Sequence, residues 1–196
     1  LFPETIDKIS NELTPMVATA RLIKQEHPDA SVVFIGPCAS KKLEASRRTV
    51  RSDVDFVITF EELTGMFEAK GILLDEIKAM DEMKDATAAG RGYGVAGGVA
   101  NAIKECIEKY YPGTPVNIQH AESLAECKKA LLLAKAGKMN GCLIEGMACP
   151  GGCIAGAGTN IAIPVAARAV DKFKNEAEKK VPDESVDQEM VELEKE

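Results

Sequence analysis

"MNGCLIEGMACPGGCIAGAG", residues 139–158, runs from a short, largely apolar stretch into a segment of cysteine, glycine, alanine and proline. "MNGCLIEGM", residues 139–147, reads as a β-strand, short and largely apolar. Beyond it, Cys149 and Cys153 stand four apart with almost no bulky side chain around them. Glycine supplies positive φ and leaves no Cβ in the way, so backbone at such a place can wrap closely around something large.

Working outward from this stretch, strands and helices alternate. Toward the N-terminus, "PVNIQHA" reads as a strand and "ESLAECKKALLLAKAGK" as the helix leading to Cys142. Before them, "TAAGRGYGVAGGVANAIKECIEKYYPG" opens on a glycine-rich turn and continues as an amphipathic helix that stops at Pro112-Gly113. "PMVATARLIKQE" has proline in its first turn, as helices tolerate. "SVVFIG" reads as a fully buried strand and "DVDFVIT" as another. Thr59 and Glu62 carry the spacing of a capping box for "FEELTGMFEAKG", and Gly71 ends that helix. "LLDEIKAM" reads as a short helix, and "NIAIPVAARAVDKFKNEAEKK" closes the fold as a long one. The alternation predicts an α/β fold, with mixed or parallel sheets flanked by helices. In such sheets ligands bind beyond the carboxyl ends of strands, where both Cys38 and Cys149 fall.

The bulk numbers exclude several classes. A chain of 196 residues with 45% hydrophobic and 28% charged residues suits one packed domain. The apolar runs are too short to cross a bilayer, which needs about 20 residues. A net charge of −7 argues against a nucleic-acid surface. Much of the acidity sits in "DESVDQEMVELEKE", so the organisation expected is a main domain over 1–175 and an acidic helix or tail over 176–196. The six cysteines lack a secretion signal upstream, so reduced thiols and a cytoplasmic location are expected. The chain opens on Leu1, and further sequence upstream is expected.

The cysteines divide by setting. Cys38, in "GPCASKKLEA", follows a strand and has Lys41 three residues on. A helix starting there would favour its thiolate; a small thiol packed under the turn is the simpler reading of Cys38 alone. Cys106 and Cys127 lie inside amphipathic helices and Cys142 alternates with Ile144, positions for small core hydrophobes. For Cys149 and Cys153, zinc would more often come with repeated short pairs and histidine, and His27 and His120 stand in plain contexts. A redox dithiol usually has two residues between its thiols, and this pair has three. Thiolates holding an iron–sulfur cluster suit the glycine-rich wrapping best.

"GPCASKKLEA" and "EGMACPGGCIAGAG" together resemble two of the three signature segments of iron-only hydrogenase large subunits, in their C-terminal catalytic domain. "SDVDFVITFEEL" and "GYGVAGGVANAIKE" resemble the intervening segments, so the likeness runs from Thr14-Pro15 to about residue 175. The resemblance implies a 4Fe-4S cubane joined to a two-iron unit carrying carbonyl and cyanide. Cys38, Cys149 and Cys153 match three cubane thiolates, Cys153 being the one that also bridges to the two-iron unit. Lys41 matches the lysine that hydrogen-bonds a cyanide, Met147 a methionine packed against the two-iron unit, and Thr14 a serine on the proton path.

The departures count too. The family's first signature, with the fourth cubane cysteine and a proton-shuttling one, has no counterpart among these residues and is expected upstream. Gly36 stands where many catalytic members have methionine, and "AGAGTN" replaces the common "GGGQ". The resemblance therefore implies an iron-only hydrogenase served by ferredoxin or an upstream ferredoxin-like domain and by maturation proteins. The clusters are expected in the full-length protein, and this fragment alone is expected to be inactive and to hold none. The alternative is a hydrogen-sensing or hydrogenase-like iron–sulfur protein with little or no turnover.

Overall fold

A computed structural model describes residues 2–47, 52–78 and 86–182. Most of the expected acidic tail, and the last residues of "LLDEIKAM", lie outside this set. The chain forms two compact units. Among the described residues, one comprises 10–47, 52–78 and 156–160; the other comprises 2–9, 86–155 and 161–182.

In the first unit the order is α1 (Pro15–Glu26), β1 (Val33–Ile35), α2 (Ser40–Ser46), β2 (Phe56–Ile58) and α3 (Phe60–Ala69). β1 and β2 pair in parallel, with Val33 opposite Phe56 and Ile35 opposite Ile58. Met16, Val17 and Ala20, spaced to share one face of α1, bury against Val54 with Val32, Phe34 and Val57 packed around them. Asp55 locks this register: its carboxylate accepts the Val32 N–H at 2.7 Å and pairs with Lys24 at 3.0 Å. Both interactions, the backbone N–H first, hold its carboxyl below the usual range. The capping box of α3 forms, with Glu62 N donating to Thr59 Oγ1 and Thr59 N to Glu62 Oε2. Residues 156–160 return to this unit as an inserted strip. Gly158 donates its N–H to Pro37 O at 2.9 Å and accepts from Glu61 N at 3.2 Å.

The expectation of a fully buried strand at "SVVFIG" is corrected: Val33 and Ile35 are each 44% exposed, and Phe56 across the ladder is 62% exposed. The reason is that the strands alternate: Phe34 and Val57 turn to the face packed on α1, while Val33, Ile35 and Phe56 share the opposite face, which stands exposed. "LLDEIKAM" shows a single 3-10 turn at Leu74–Glu76 in place of the short α-helix.

The second unit begins with a 3-10 turn at Pro3–Lys8, fastened by a 2.5 Å ion pair between Glu4 and Lys135. It continues with α4 (Ala88–Arg91), α5 (Gly98–Tyr110), β3 (Asn117–Glu122), α6 (Leu124–Lys135), β4 (Cys142–Met147) and α7 (Ile163–Asn175). β3 and β4 are parallel, from Asn117 opposite Cys142 to Glu122 opposite Met147. The buried hydrophobic residues here are mostly alanines, Ala89, Ala100, Ala102, Ala121, Ala130 and Ala166, joined by Val181. Small side chains let helices lie close on the sheet. At Gly98 the approach is tight enough that an added Cβ would collide with the Gly92 carbonyl oxygen. Among the described residues each unit thus holds one small parallel sheet flanked by helices, in keeping with the α/β class that the alternation predicts.

Candidate metal centre

Cys38 follows β1 through the turn Gly36-Pro37 and immediately precedes Ala39, the residue capping α2. Its thiol is half-buried and its carbonyl accepts the Lys41 N–H at 3.4 Å. Lys41 turns its ammonium to Glu44 at 2.6 Å, one turn along α2. The other oxygen of Glu44 accepts the Thr14 hydroxyl at 2.5 Å. One carboxylate therefore ties the entry of α1 to the lysine of α2. An ammonium has three N–H donors, so the pair leaves Lys41 further donors for another anion. α2 itself is lashed down by Lys42, which donates to Val57 O at 2.9 Å and pairs with Glu62 at 2.7 Å.

Cys149 and Cys153 lie in the loop after β4, in the other unit. Met147 is the last residue of β4, two before Cys149. Gly152 donates its N–H to Cys149 O at 3.0 Å, closing a turn between the two thiols. Gly151 and Gly152 have φ of +94° and +89°, a region that side chains rarely adopt. A Cβ on Gly152 would also collide with the Ala96 nitrogen. Across the loop, Ala96 N donates to Gly151 O at 3.1 Å, and Glu122 accepts the Gly151 N–H at 3.0 Å. The loop is thus pinned from both sides while its thiols stay half-buried or exposed.

Behind the loop, Glu145 on β4 is only 8% exposed. Its carboxylate accepts the N–H groups of Gly97 at 2.5 Å, Val99 at 3.0 Å and Ala100 at 3.1 Å. These are donors that the first turn of α5 cannot satisfy itself. His120 Nδ1 stands 3.4 Å from the same carboxylate. Glu145, Glu44 and Glu122 were not singled out in the sequence. An acidic residue inside the otherwise apolar "CLIEGM" was the available signal for the first.

The structure thus brings Cys149, Cys153 and Met147 together on one loop, and Cys38, Lys41 and Thr14 together around the start of α2; the two groups belong to different units. Cys106 and Cys127 sit within α5 and α6, and Cys142 opens β4, with Asn117 Nδ2 at 3.3 Å from its sulfur. None of the six cysteines is in a disulfide. Within either unit, among the described residues, no three of His, Cys, Asp or Glu gather as a metal site. The donor chemistry nevertheless fits an iron–sulfur cluster: soft thiols, a loop stripped of bulk between them, and backbone held open by left-handed glycines.

A family model described as iron only hydrogenase large subunit, C-terminal domain, matches residues 1–157. The chain belongs to that family. The chain of this iron-only hydrogenase family member is 29% identical over 187 residues to the periplasmic Fe hydrogenase large subunit of Nitratidesulfovibrio vulgaris, covering 78% of itself and 44% of that relative. Iron hydrogenase 1 of Clostridium pasteurianum is 25% identical over 198 residues, 80% of this chain and 34% of the relative. The cytosolic Fe-S cluster assembly factor NAR1 of Kluyveromyces lactis is 41% identical, over 64 residues that make up 33% of this chain and 14% of that protein. The chain therefore spans less than half the length of these curated relatives. In fold it is similar to the apo iron–iron hydrogenase of Chlamydomonas reinhardtii, with a TM-score of 0.63, 20% identity, 91% of this chain covered and 63% of the other. Among the described residues, no helix is long and apolar enough to cross a membrane.

Proposed function

We propose that this chain is the cluster-binding C-terminal part of an iron-only hydrogenase, whose full-length form interconverts molecular hydrogen with protons and electrons. What carries the reading is the Cys149–Cys153 loop, pinned at Gly151 and kept clear of side chains, in a chain whose family is that of hydrogenase large subunits. Cys38, Cys149 and Cys153 would hold a 4Fe-4S cubane, with Cys153 also bridging to a two-iron carbonyl and cyanide unit. That centre supplies the hydrogen chemistry when bound; the protein binds it, orients it and keeps water away.

The roles of the chain's own residues follow from their settings. Lys41, steadied by Glu44, offers its remaining N–H donors to an anionic ligand such as cyanide. A half-buried ammonium is tolerable beside such partners. Met147 presents a soft, apolar thioether beside the loop. Thr14 keeps a hydroxyl hydrogen-bonded to Glu44, a start for a proton route. Electrons would come from ferredoxin or an upstream ferredoxin-like domain, and maturation proteins would install the two-iron unit. We place the protein in the cytoplasm and assign it neither a nucleic-acid nor a membrane partner.

A second reading, a hydrogenase-like iron–sulfur protein with little or no turnover, draws on the identity to NAR1, which is higher than to either hydrogenase although shorter in extent. One experiment separates the two. The chain joined to its upstream sequence is matured anaerobically, then assayed by infrared spectroscopy and for hydrogen evolution. Carbonyl and cyanide bands together with hydrogen evolution support the hydrogenase. Bands with background turnover support the second reading in its sensory form, and a cubane without diatomic bands overturns the two-iron assignment.

A further inference from the structure

The loop between Cys149 and Cys153 is fastened by a side chain that its motif does not contain. Glu122 is the last residue of β3, half-buried, and the parallel register sets it beside Met147 at the end of β4. From there its Oε2 accepts the N–H of Gly151, the middle residue of the five-residue loop, at 3.0 Å. The carbonyl of the same Gly151 accepts from Ala96. Gly151 is therefore held through both of its backbone polar groups, and the thiols two residues to either side are set by that grip. Glu122 is itself held in place, because its N–H donates to Glu126 Oε2 at 2.8 Å at the start of α6.

We propose that Glu122 is a positioning residue of the Cys149–Cys153 loop, which anchors Gly151 and lowers the reduction potential of the iron–sulfur centre the two thiols hold. This rests on the proposed function for the centre itself. The physical reasons are two. A hydrogen bond accepted by a carboxylate is stronger than one to a neutral acceptor, so the anchor stiffens a loop whose glycines would otherwise let it wander. Reduction adds an electron to a centre already surrounded by thiolates. A carboxylate next to the loop opposes that added charge, and net charge nearby is one of the quantities that sets such potentials. The Glu122 carboxylate meets the loop at the Gly151 N–H, so it acts through the loop and through its field.

The test uses the chain joined to its upstream sequence, as parent and as the variants Glu122→Gln and Glu122→Ala. In the metal-free proteins, the exchange rate of the Gly151 amide is read by NMR. Loss of the acceptor should speed exchange about tenfold or more in Glu122→Ala. Glu122→Gln, whose amide oxygen can still accept, should show a smaller change. The proteins are then reconstituted anaerobically with iron and sulfide, and iron content and midpoint potential are measured. Glu122→Gln should hold as much iron as the parent with a more positive midpoint, and Glu122→Ala should hold less. Unchanged Gly151 exchange in Glu122→Ala overturns the anchor, and an unmoved midpoint in Glu122→Gln overturns the electrostatic role. Iron retained by none of the three proteins, parent included, overturns the electrostatic role together with the proposed centre. In that case the amide exchange still decides the anchor by itself.

Discussion

Replacing Glu145 by alanine should strip the N-terminus of α5 of its partners. The carboxylate serves three backbone N–H groups, of Gly97, Val99 and Ala100. Ala100 is 1% exposed, so water cannot take over for its N–H, and the Gly97 bond is likewise buried. A buried donor left without a partner costs about 1–3 kcal/mol. Two such donors, with the third reaching solvent, put the loss near 2–6 kcal/mol, and partial relaxation of the helix end favours about 3 kcal/mol. That is a large share of a stability of about 5–15 kcal/mol. Glu145→Gln keeps the shape and one acceptor but loses the charge that the positive helix end favours, an effect of up to about 2 kcal/mol in partly buried settings. The assay is urea unfolding followed by circular dichroism, with hydrogen exchange at residues 97–100 to localise the effect. An alanine variant within about 0.5 kcal/mol of the parent would refute the reasoning, since such a value belongs to surface substitutions. So would a glutamine variant as unstable as the alanine one.

Three further outcomes are expected. In the matured full-length protein, Cys153→Ala should lose the two-iron infrared bands and much of the cubane iron, whereas Cys106→Ala should change neither; equal effects would mean the ligands are misassigned. Gly152→Ala should destabilise the loop by about 1–3 kcal/mol, because its backbone stands in the left-handed region and its Cβ would meet Ala96; calorimetry reads this, and an unchanged melting temperature contradicts the geometry. Finally, Lys42, with the Thr59 N–H second, holds the Glu62 carboxyl below its ordinary value of 4.5. A depressed folded-state value means the cap stabilises fully above the ordinary value and fades as pH falls through the depressed one. Acid titration of the parent against Lys42→Ala should therefore show a stability difference that is full near neutrality and shrinks as pH falls through the depressed value; a difference constant with pH contradicts the pairing.

Local chemistry was legible in the sequence wherever the partner lay within one turn. Thr59 and Glu62 are three residues apart, and their reciprocal bonds form as the spacing says. Cys38 and Cys149 follow strand ends because short apolar runs bounded by Gly and Pro mark those ends reliably. Burial was less legible. "SVVFIG" has the composition of a covered strand, but coverage depends on what packs against each face of the sheet, which no local pattern records. The acidic residues near the thiols went unread for a similar reason. Glu145 meets α5 from 45 to 48 residues away, and Glu122 meets Gly151 from 29 residues away. Lys41 and Glu44 could be paired by their helical spacing, but Thr14, 30 residues from Glu44, could not. Cys38 lies in one unit and Cys149 and Cys153 in the other, so no local pattern relates them.

The strip of residues 156–160 has a consequence for how the protein is made. Pro37 and Glu61 find backbone partners in Gly158, and Asn160 adds bonds to Phe60 O and Thr64 Oγ1. These partners leave the ribosome long after the helices and strands that need them. At about 5–20 residues per second, the interval between residues 79 and 160 is about 4–16 s. The nascent N-terminal half must wait that long for its last backbone bonds, and a gene cut after residue 79 would deliver a polypeptide whose Pro37 turn never closes.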